Sequence, residues 1–515
     1  MPPFPFFCMD DFLSYLTDEH IVERLCKEAG KYVFKPKKTE MPLWLRMLFS
    51  LLPPRLLWAE LKKNKCNDSK TQKKAVERLQ QIVMRHLKHR SHYPYLVHLR
   101  RFMDSLRSIA MQPDSYTFPK PVVKAQVKKQ KGDVTICRPT SAYDNLEAKI
   151  LIGLMADYLK SWLDPMLHYT NLAYRAPREW EGQANVATKN EHAIALLLKW
   201  RKEHNGQPIY IAECDIQKFF DTIDHDDAIA ALRMMMARDG RKDENFCQLF
   251  EHFVCSFDFQ NDVMSCNGNQ DYWRSQFGER AAQHTYRFEW IKDAPDHPIG
   301  IPQGAALSPI IANLLMNVID EQTLGDKLVD GRITDSNLYY ARYCDDVLIA
   351  HTSLRTCASI MYSYRAILNQ HQLRYHHPES VLSMKDGVRL QKEANACLFW
   401  EAKTKLPYRW GKGAGNASKW IGFLGYEISR YGEVRLRKSS VAKQAEKIVN
   451  EVEKIRYEQT SKAEKIAQFE RRKIGGSKID SFVNLITDDT PYRLQRDKLE
   501  KLKARKLRKL LAKCK

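Results

Sequence analysis

Three stretches of this chain show strand-like runs of apolar, β-branched and aromatic residues, each ending on an acid or a tight loop. Ile209-Tyr210-Ile211-Ala212 predicts a short buried strand that carries Asp215 at its end. Leu338 to Thr352 (LYYARYCDDVLIAHT) holds two apolar runs interrupted by Asp345 and Asp346, the pattern of a tight β-hairpin with acid at its tip. Between them, His297 to Asp320 reads as a Gly/Pro-punctuated loop, Gly300 to Gly304, leading into a helix that starts near Ser308-Pro309. The first 110 or so residues follow a helical period instead. Asp10-Asp11 opens a helix through Phe12, Leu13, Tyr15 and Leu16, then Ile21, Val22 and Leu25 line a second apolar face, and Pro53-Pro54 breaks a further helical region. From Arg437 onward the pattern is helical and charged.

The charge balance narrows the class of partner. At 515 residues, with Lys+Arg 83 against Asp+Glu 62, the formal charge is +21, which suits a polyanion and salt-dependent binding. The stretch Lys62 to Arg101 interleaves cations with His92, Tyr93, Tyr95 and His98, a pattern that fits contact with a nucleic-acid strand as well as a solvated helix face. The final 18 residues hold nine Lys/Arg and one acid, with Leu499, Leu502, Leu507, Leu510 and Leu511 along one helical face. That tail is expected to pack through its leucines while presenting cations; a membrane-surface helix is the weaker reading. The best apolar run, Leu43 to Leu52, is short and broken by Arg46, so no bilayer span is expected. The start lacks a basic region before its apolar residues and a cleavage site, and the twelve cysteines are scattered without a C-x-x-C pair. A cytoplasmic chain with reduced thiols is the expectation.

Adjacent carboxylates repel unless a cation sits among them, so Asp345-Asp346 points to a divalent metal once Asp215 supplies a third acid. The order strand with Asp, loop and helix with Pro-Gln-Gly, then hairpin with Asp-Asp is that of a polymerase palm. The runs DIQKFFD at 215–221, PQGAALSP at 302–309 and RYCDD at 342–346 resemble reverse transcriptases, most closely the bacterial group II intron-like branch. Arg138-Pro139, Ala173-Tyr174-Arg175 and Phe423-Leu424-Gly425-Tyr426 extend the resemblance over roughly residues 118 to 440.

That resemblance implies an α+β right-hand polymerase: a helical basic extension over 1–115, fingers over 116–205, a palm over 206–436 with insertions near 256–296 and 385–418, and a helical thumb and basic tail over 437–515. It implies catalysis by Asp215, Asp345 and Asp346, with two Mg²⁺ ions (Mn²⁺ as a substitute) held by these acids and the backbone carbonyl of Ile216. It assigns deoxynucleoside triphosphate contacts to Arg138, Lys129, Phe220 and Gln303. Phe220 is the aromatic that blocks a 2′-hydroxyl, and Arg138 is the planar fork for phosphate oxygens. Gly304, Tyr343, Phe423, Leu424 and Gly425 fall to template and primer. Asp221 is expected to cap the following turn, and Cys344 to fill a tight turn.

One position departs from the family pattern. Where relatives carry a Lys as proton donor to pyrophosphate, this chain has Ser380; Lys385, His376 and His377 are the nearby substitutes. About 75 residues follow Arg437, with neither a Cys/His metal cluster nor the Val-Thr-Gly signature of retron enzymes. The expected subgroup is therefore the defence-associated, "unknown group" branch, making cDNA from a partner noncoding RNA in bacterial antiphage defence. The alternatives are an element-borne or repair role, and an RNA-binding scaffold with secondary polymerase activity. Priming, template sequence and oligomeric state are not legible in the residues.

Overall fold

The computed structural model describes residues 11–32, 41–54, 69–89, 92–176, 178–180, 183–186, 190–291, 295–376, 378, 402–411, 417–456, 466, 469–470 and 490–512. The chain divides into two compact units, each assembled from separated segments. One comprises Met1–Leu167, Lys218–Ile319 and Asn369–Arg374; the other comprises His168–Gln217, Asp320–Leu368 and Tyr375–Lys515.

The first unit is mainly helical. Asp11 caps the turn Phe12–Tyr15, accepting from the Ser14 amide at 2.6 Å, and Thr17 caps Asp18–Gly30, whose Ile21, Val22 and Leu25 are fully buried. The helix Leu146–Met166 is buried almost all round, as its near-continuous apolar run requires, and its cap Asn145 accepts from the Ala148 amide. A three-stranded sheet completes this unit. Val134–Ala142 lies at its centre, antiparallel to Val122–Lys131 and parallel to Thr285–Phe288. The stretch near 256–296 therefore adds a strand to this sheet. It is held there by an apolar cluster in which Trp273 and Phe288 are buried and Phe277 stacks on Tyr286 with centroids 4.2 Å apart.

The second unit is built on a five-stranded sheet. Its strand order runs Ala417–Ser418, Lys405–Trp410, Tyr210–Asp215, Asp346–His351, Leu338–Tyr343. Tyr210–Asp215 has ladder partners on both sides, and its successive residues Ile211, Ala212, Glu213 and Cys214 are all buried, so both faces are covered and its sequence need not alternate. The core beneath includes Ile209, Ile211, Leu348, Tyr408 and Trp410. A smaller antiparallel sheet, Trp420–Phe423, Tyr426–Ser429 and Val434–Leu436, shares that core through Ile421, Phe423 and Ile428.

Lys438–Arg456 and Thr490–Ala512 form the helical end of this unit. They pack through Ile448, Val452, Ile455 and Leu499, with Leu502 and Leu507 partly buried. Leu499, Leu502 and Leu507 of the tail's stripe thus form a packing face, Leu511 remains exposed, and the Leu510 side chain lies outside the described residues. Among the described residues, no helix is long and apolar enough to cross a membrane.

Candidate active site

Register, rather than sequence proximity, sets Asp215 across from Asp346. Asp346 is the cross-strand partner of Asp215 on one side and of Tyr343 across the hairpin on the other. Directly opposed residues have Cβ atoms about 4.5–5.5 Å apart, so two carboxylates face one another at the strand ends. Asp345 occupies the turn itself. Burial and then the Asp215 charge push the Asp345 carboxyl up, and burial followed by Asp215 and Asp345 pushes Asp346 up to about 7.

The turn is fastened from below. Cys344 adopts a left-handed backbone with φ of 62°, and its side chain is buried. Burial raises its thiol to about 12, so it fills the turn as a neutral group and is a poor nucleophile. Arg342 is wholly buried and donates from Nε to Asp320 Oδ2 at 2.8 Å and from Nη1 to the Cys344 carbonyl at 3.3 Å. The Tyr340 hydroxyl donates to the other Asp320 oxygen at 2.7 Å. A buried charge is tolerable only when paired and hydrogen-bonded. Arg342 meets that condition through Nε and Nη1, while its buried Nη2 has no hydrogen-bond partner among the described residues, and it ties the acidic turn to Asp320 near the end of the helix Ser308–Leu324.

Asp215 already attracts cations. Lys403 Nζ makes an ion pair with Asp215 Oδ2, and His376 Nε2 lies 3.4 Å from the same oxygen. The His376 amide donates to the Asp215 carbonyl at 3.0 Å, and Ile216 forms an isolated bridge with Tyr375. Two residues before Asp215, buried Glu213 accepts from Lys405 at 2.5 Å and from the Tyr408 hydroxyl at 2.7 Å. Sequence reasoning missed Lys403 and Lys405. Their signal is the alternation Lys403-Thr404-Lys405 entering a strand beside the Asp215 strand, which sets both lysines on one face. Of the substitutes considered for the absent family lysine, His376 lies on Asp215, while His377, Ser380 and Lys385 fall outside the described residues.

Among the described residues, no three acidic, histidine or cysteine side chains are already gathered as a ready metal centre. The donor chemistry nevertheless fits magnesium. Asp215, Asp345 and Asp346 offer carboxylate oxygens, burial and then mutual repulsion disfavour the ionised forms of Asp345 and Asp346, and a lysine ammonium stands on Asp215 as a cation would.

The hairpin expected to hold a primer lies in the same unit. Phe423 pairs with Tyr426, and the two residues joining them, Leu424 (φ 49°) and Gly425 (φ 88°), are both left-handed. Two positive φ values are what a type I′ turn demands; Gly tolerates that, while Leu424 is retained by packing against the sheet core. The Gly425 carbonyl accepts from the Arg437 amide at 3.1 Å, which fixes the start of the following helix. Tyr343 is half-buried against the same core.

The residues assigned to the nucleotide all lie in the first unit. Arg138 is exposed on Val134–Ala142, opposite Gln126 in register. Lys129 and Lys128 both pair with Glu289, at 3.0 and 3.2 Å; burial opposes ionisation of that carboxyl, but the two lysines outweigh it and bring it down to about 2. Phe220 is half-buried, its carbonyl accepting from the Ile301 amide at 2.8 Å. Gln303 donates to Asp221 at 2.5 Å, and its carbonyl accepts from the Ser141 amide at 2.6 Å.

Asp221 therefore does not cap the next turn as expected. It sits inside the short helix Phe219–Thr222 with its carboxylate on Gln303, and Asp224 caps the helix His225–Arg238 instead, accepting from the Asp227 amide. Gly304 has φ of 113°, and a Cβ there would stand 3.0 Å from the Ser141 carbonyl, so the loop can follow this strand only without a side chain.

Residues 127–428 match the family profile described as "Reverse transcriptase (RNA-dependent DNA polymerase)". Solved structures with some similarity to this chain include telomerase from Candida albicans in complex with a TWJ fragment of telomeric RNA, at 10% identity and a TM-score of 0.33, covering 76% of this chain and 60% of that one. Apo telomerase from Candida tropicalis is similar at 12% identity and a TM-score of 0.35, covering 77% of this chain and 59% of that one. The chain thus spans about three fifths of the telomerase chains. Among curated proteins, none matches the sequence.

Proposed function

The chain belongs to the reverse transcriptase family, and we propose from this premise that it is an RNA-directed DNA polymerase. The observation that carries the reading is the register of the central sheet: Asp346 lies opposite Asp215, with Asp345 in the adjoining turn. Bound by these acids and the Ile216 carbonyl, paired Mg²⁺ ions would supply Lewis acidity for attack by a primer 3′-hydroxyl and for departure of pyrophosphate.

The protein's own groups do the rest. The Arg342–Asp320 pair holds the acidic turn in place, and Lys403 neutralises Asp215 when no metal is bound. Phe220 disfavours a 2′-hydroxyl, and Arg138 grips phosphate oxygens through its planar fork. Asp221 keeps the Gln303 amide oriented. The turn Phe423-Leu424-Gly425 positions the primer end, with Tyr343 and Gly304 at the template and primer.

The finer reading is synthesis of cDNA from a partner noncoding RNA in bacterial antiphage defence; the motifs at 215–221, 302–309 and 342–346 support a group II-like core, and the lack of a Val-Thr-Gly signature sets it apart from retron enzymes. The test compares wild type with Asp345→Ala/Asp346→Ala in primer extension on an RNA template with deoxynucleotides. Wild type should extend the primer, and the double variant should lose at least a thousandfold of the rate, because the acids that would hold the metal pair are gone. A wild-type protein that extends no primer on any RNA would end the reading. Phage protection that survives the double substitution would transfer the biological role to RNA binding.

A further inference from the structure

The first unit carries two helices that lie outside the residues assigned to nucleotide addition. On Ser69–Lys88, the exposed residues Lys74, Arg78, Gln81, Arg85 and Lys88 recur at spacings of four and three, while Ala75, Leu79 and Val83 are buried beneath them. That stripe contains no apolar side chain, and Glu77 is the only acid in the helix. At 1.5 Å per residue it runs for about 21 Å. Arg85, Lys88 and His89 then converge with Arg100 of the helix Pro94–Met111 on a cavity of about 490 Å³. The single acid lining it, Asp18, is engaged by Arg107 at 2.5 Å.

Aromatic groups stand beside these cations. The Tyr93 ring is 42% exposed and stacks on His86, with centroids 4.3 Å apart and planes 26° from parallel. His86 is fixed in turn by a 2.7 Å hydrogen bond between its Nδ1 and the hydroxyl of buried Tyr95. A merely solvated helix face needs neither an exposed ring held flat by a second ring nor cations gathered at a cavity. The polar stripe on Ser69–Lys88 gives lipid no apolar residue to insert, although Met84 and Leu87 at the cavity are half-buried and Val97 of the second helix is exposed. Cations beside a stacking platform are the chemistry that holds the phosphates and bases of a single strand.

We propose that the helices Ser69–Lys88 and Pro94–Met111 form a docking surface for single-stranded polynucleotide. Arg85, Lys88 and Arg100 hold its phosphates, and one base stacks on Tyr93. The polymerase reading enters only in naming that strand as the RNA the enzyme works with.

The test uses the full-length protein and fluorescein-labelled, unstructured 20-mers of RNA and of DNA, with anisotropy followed across a salt series. Arg85→Glu/Lys88→Glu/Arg100→Glu should weaken binding at least tenfold. It should also reduce the salt slope by about 2, at about 0.7 per phosphate contact on a single strand. Tyr93→Ala should weaken binding by roughly five- to a hundredfold, the span of one lost base stack, and Tyr93→Phe should bind as wild type does. All of these positions are exposed, so the variants should stay folded, with melting temperatures lowered only slightly by the lost His86 stack and by acids in the last turn of Ser69–Lys88.

Binding of both polymers, or of RNA alone, supports the surface. Unchanged affinity and slope in the triple variant overturn it. So does charge-dependent binding to vesicles of 30% phosphatidylserine with no effect on either polynucleotide. If the wild type extends no primer while the triple variant still loses RNA, the polymerase reading fails and the docking surface stands.

Discussion

Asp346 is the residue whose surroundings have the plainest measurable consequence. Its carboxyl is raised to about 7 by burial and by Asp215 and Asp345, against an ordinary value of 3.8 that the unfolded chain retains. Between those values the folded state holds a proton that the unfolded state has released. Stability of the metal-free protein should therefore fall as pH rises from about 4 to about 7 and level off above that. Thermal melts in a chelator at pH 5 and pH 8 should show the lower melting temperature at pH 8. Asp346→Asn should shrink the difference, and Mg²⁺ should restore more stability at pH 8 than at pH 5, since binding requires the ionised acid. Equal melting temperatures at both pH values would contradict this account of the site. Lys403 belongs to the same logic, because its ammonium relieves the repulsion that a metal would otherwise relieve.

At the scale of the element, the acidic hairpin depends on one buried pair. Arg342 and Asp320 are both 0% exposed, so removing either partner leaves an uncompensated charge in the interior. Arg342→Met and Asp320→Asn should each cost roughly 3–5 kcal/mol in urea unfolding. A double replacement by apolar residues of similar volume should recover much of that loss, because the desolvation cost of both charges disappears together. If the single variants unfold at the wild-type midpoint, the hairpin is held by other contacts. The tail helix shows the same dependence on context: its leucine stripe is amphipathic in sequence, yet Leu499 is buried and Leu511 exposed, because Lys438–Arg456 covers only part of its length.

At the scale of the whole molecule, each unit is assembled from segments that the chain visits in turn. The strand Tyr210–Asp215 finds its ladder partners in Asp346–His351 and Lys405–Trp410, both following a long segment that belongs to the other unit. A fragment ending at residue 319 keeps nearly all of the first unit and none of those strands. Limited proteolysis of that fragment should cut rapidly within 168–217 and spare 69–167 and 218–319, read by mass spectrometry of the products. Equal protection of 168–217 would mean that this segment folds without its sheet.

By itself the sequence carried the order of the motifs, the three candidate acids within them and, through their resemblance to reverse transcriptases, the fold class. The strands, the turn and the loop around those acids rest on short-range patterning: apolar runs of strand length, a turn-forming Cys-Asp-Asp, and a Gly/Pro loop ahead of a helix. Tertiary structure decided what lies across from each acid. The pairing of Asp346 with Asp215, the lysine on Asp215, the burial of Arg342 on Asp320 and the capture of Gln303 by Asp221 all join residues distant in the chain. Such contacts are set by strand register and by packing of segments far apart in sequence, and a periodicity read over ten or twenty residues carries no information about either.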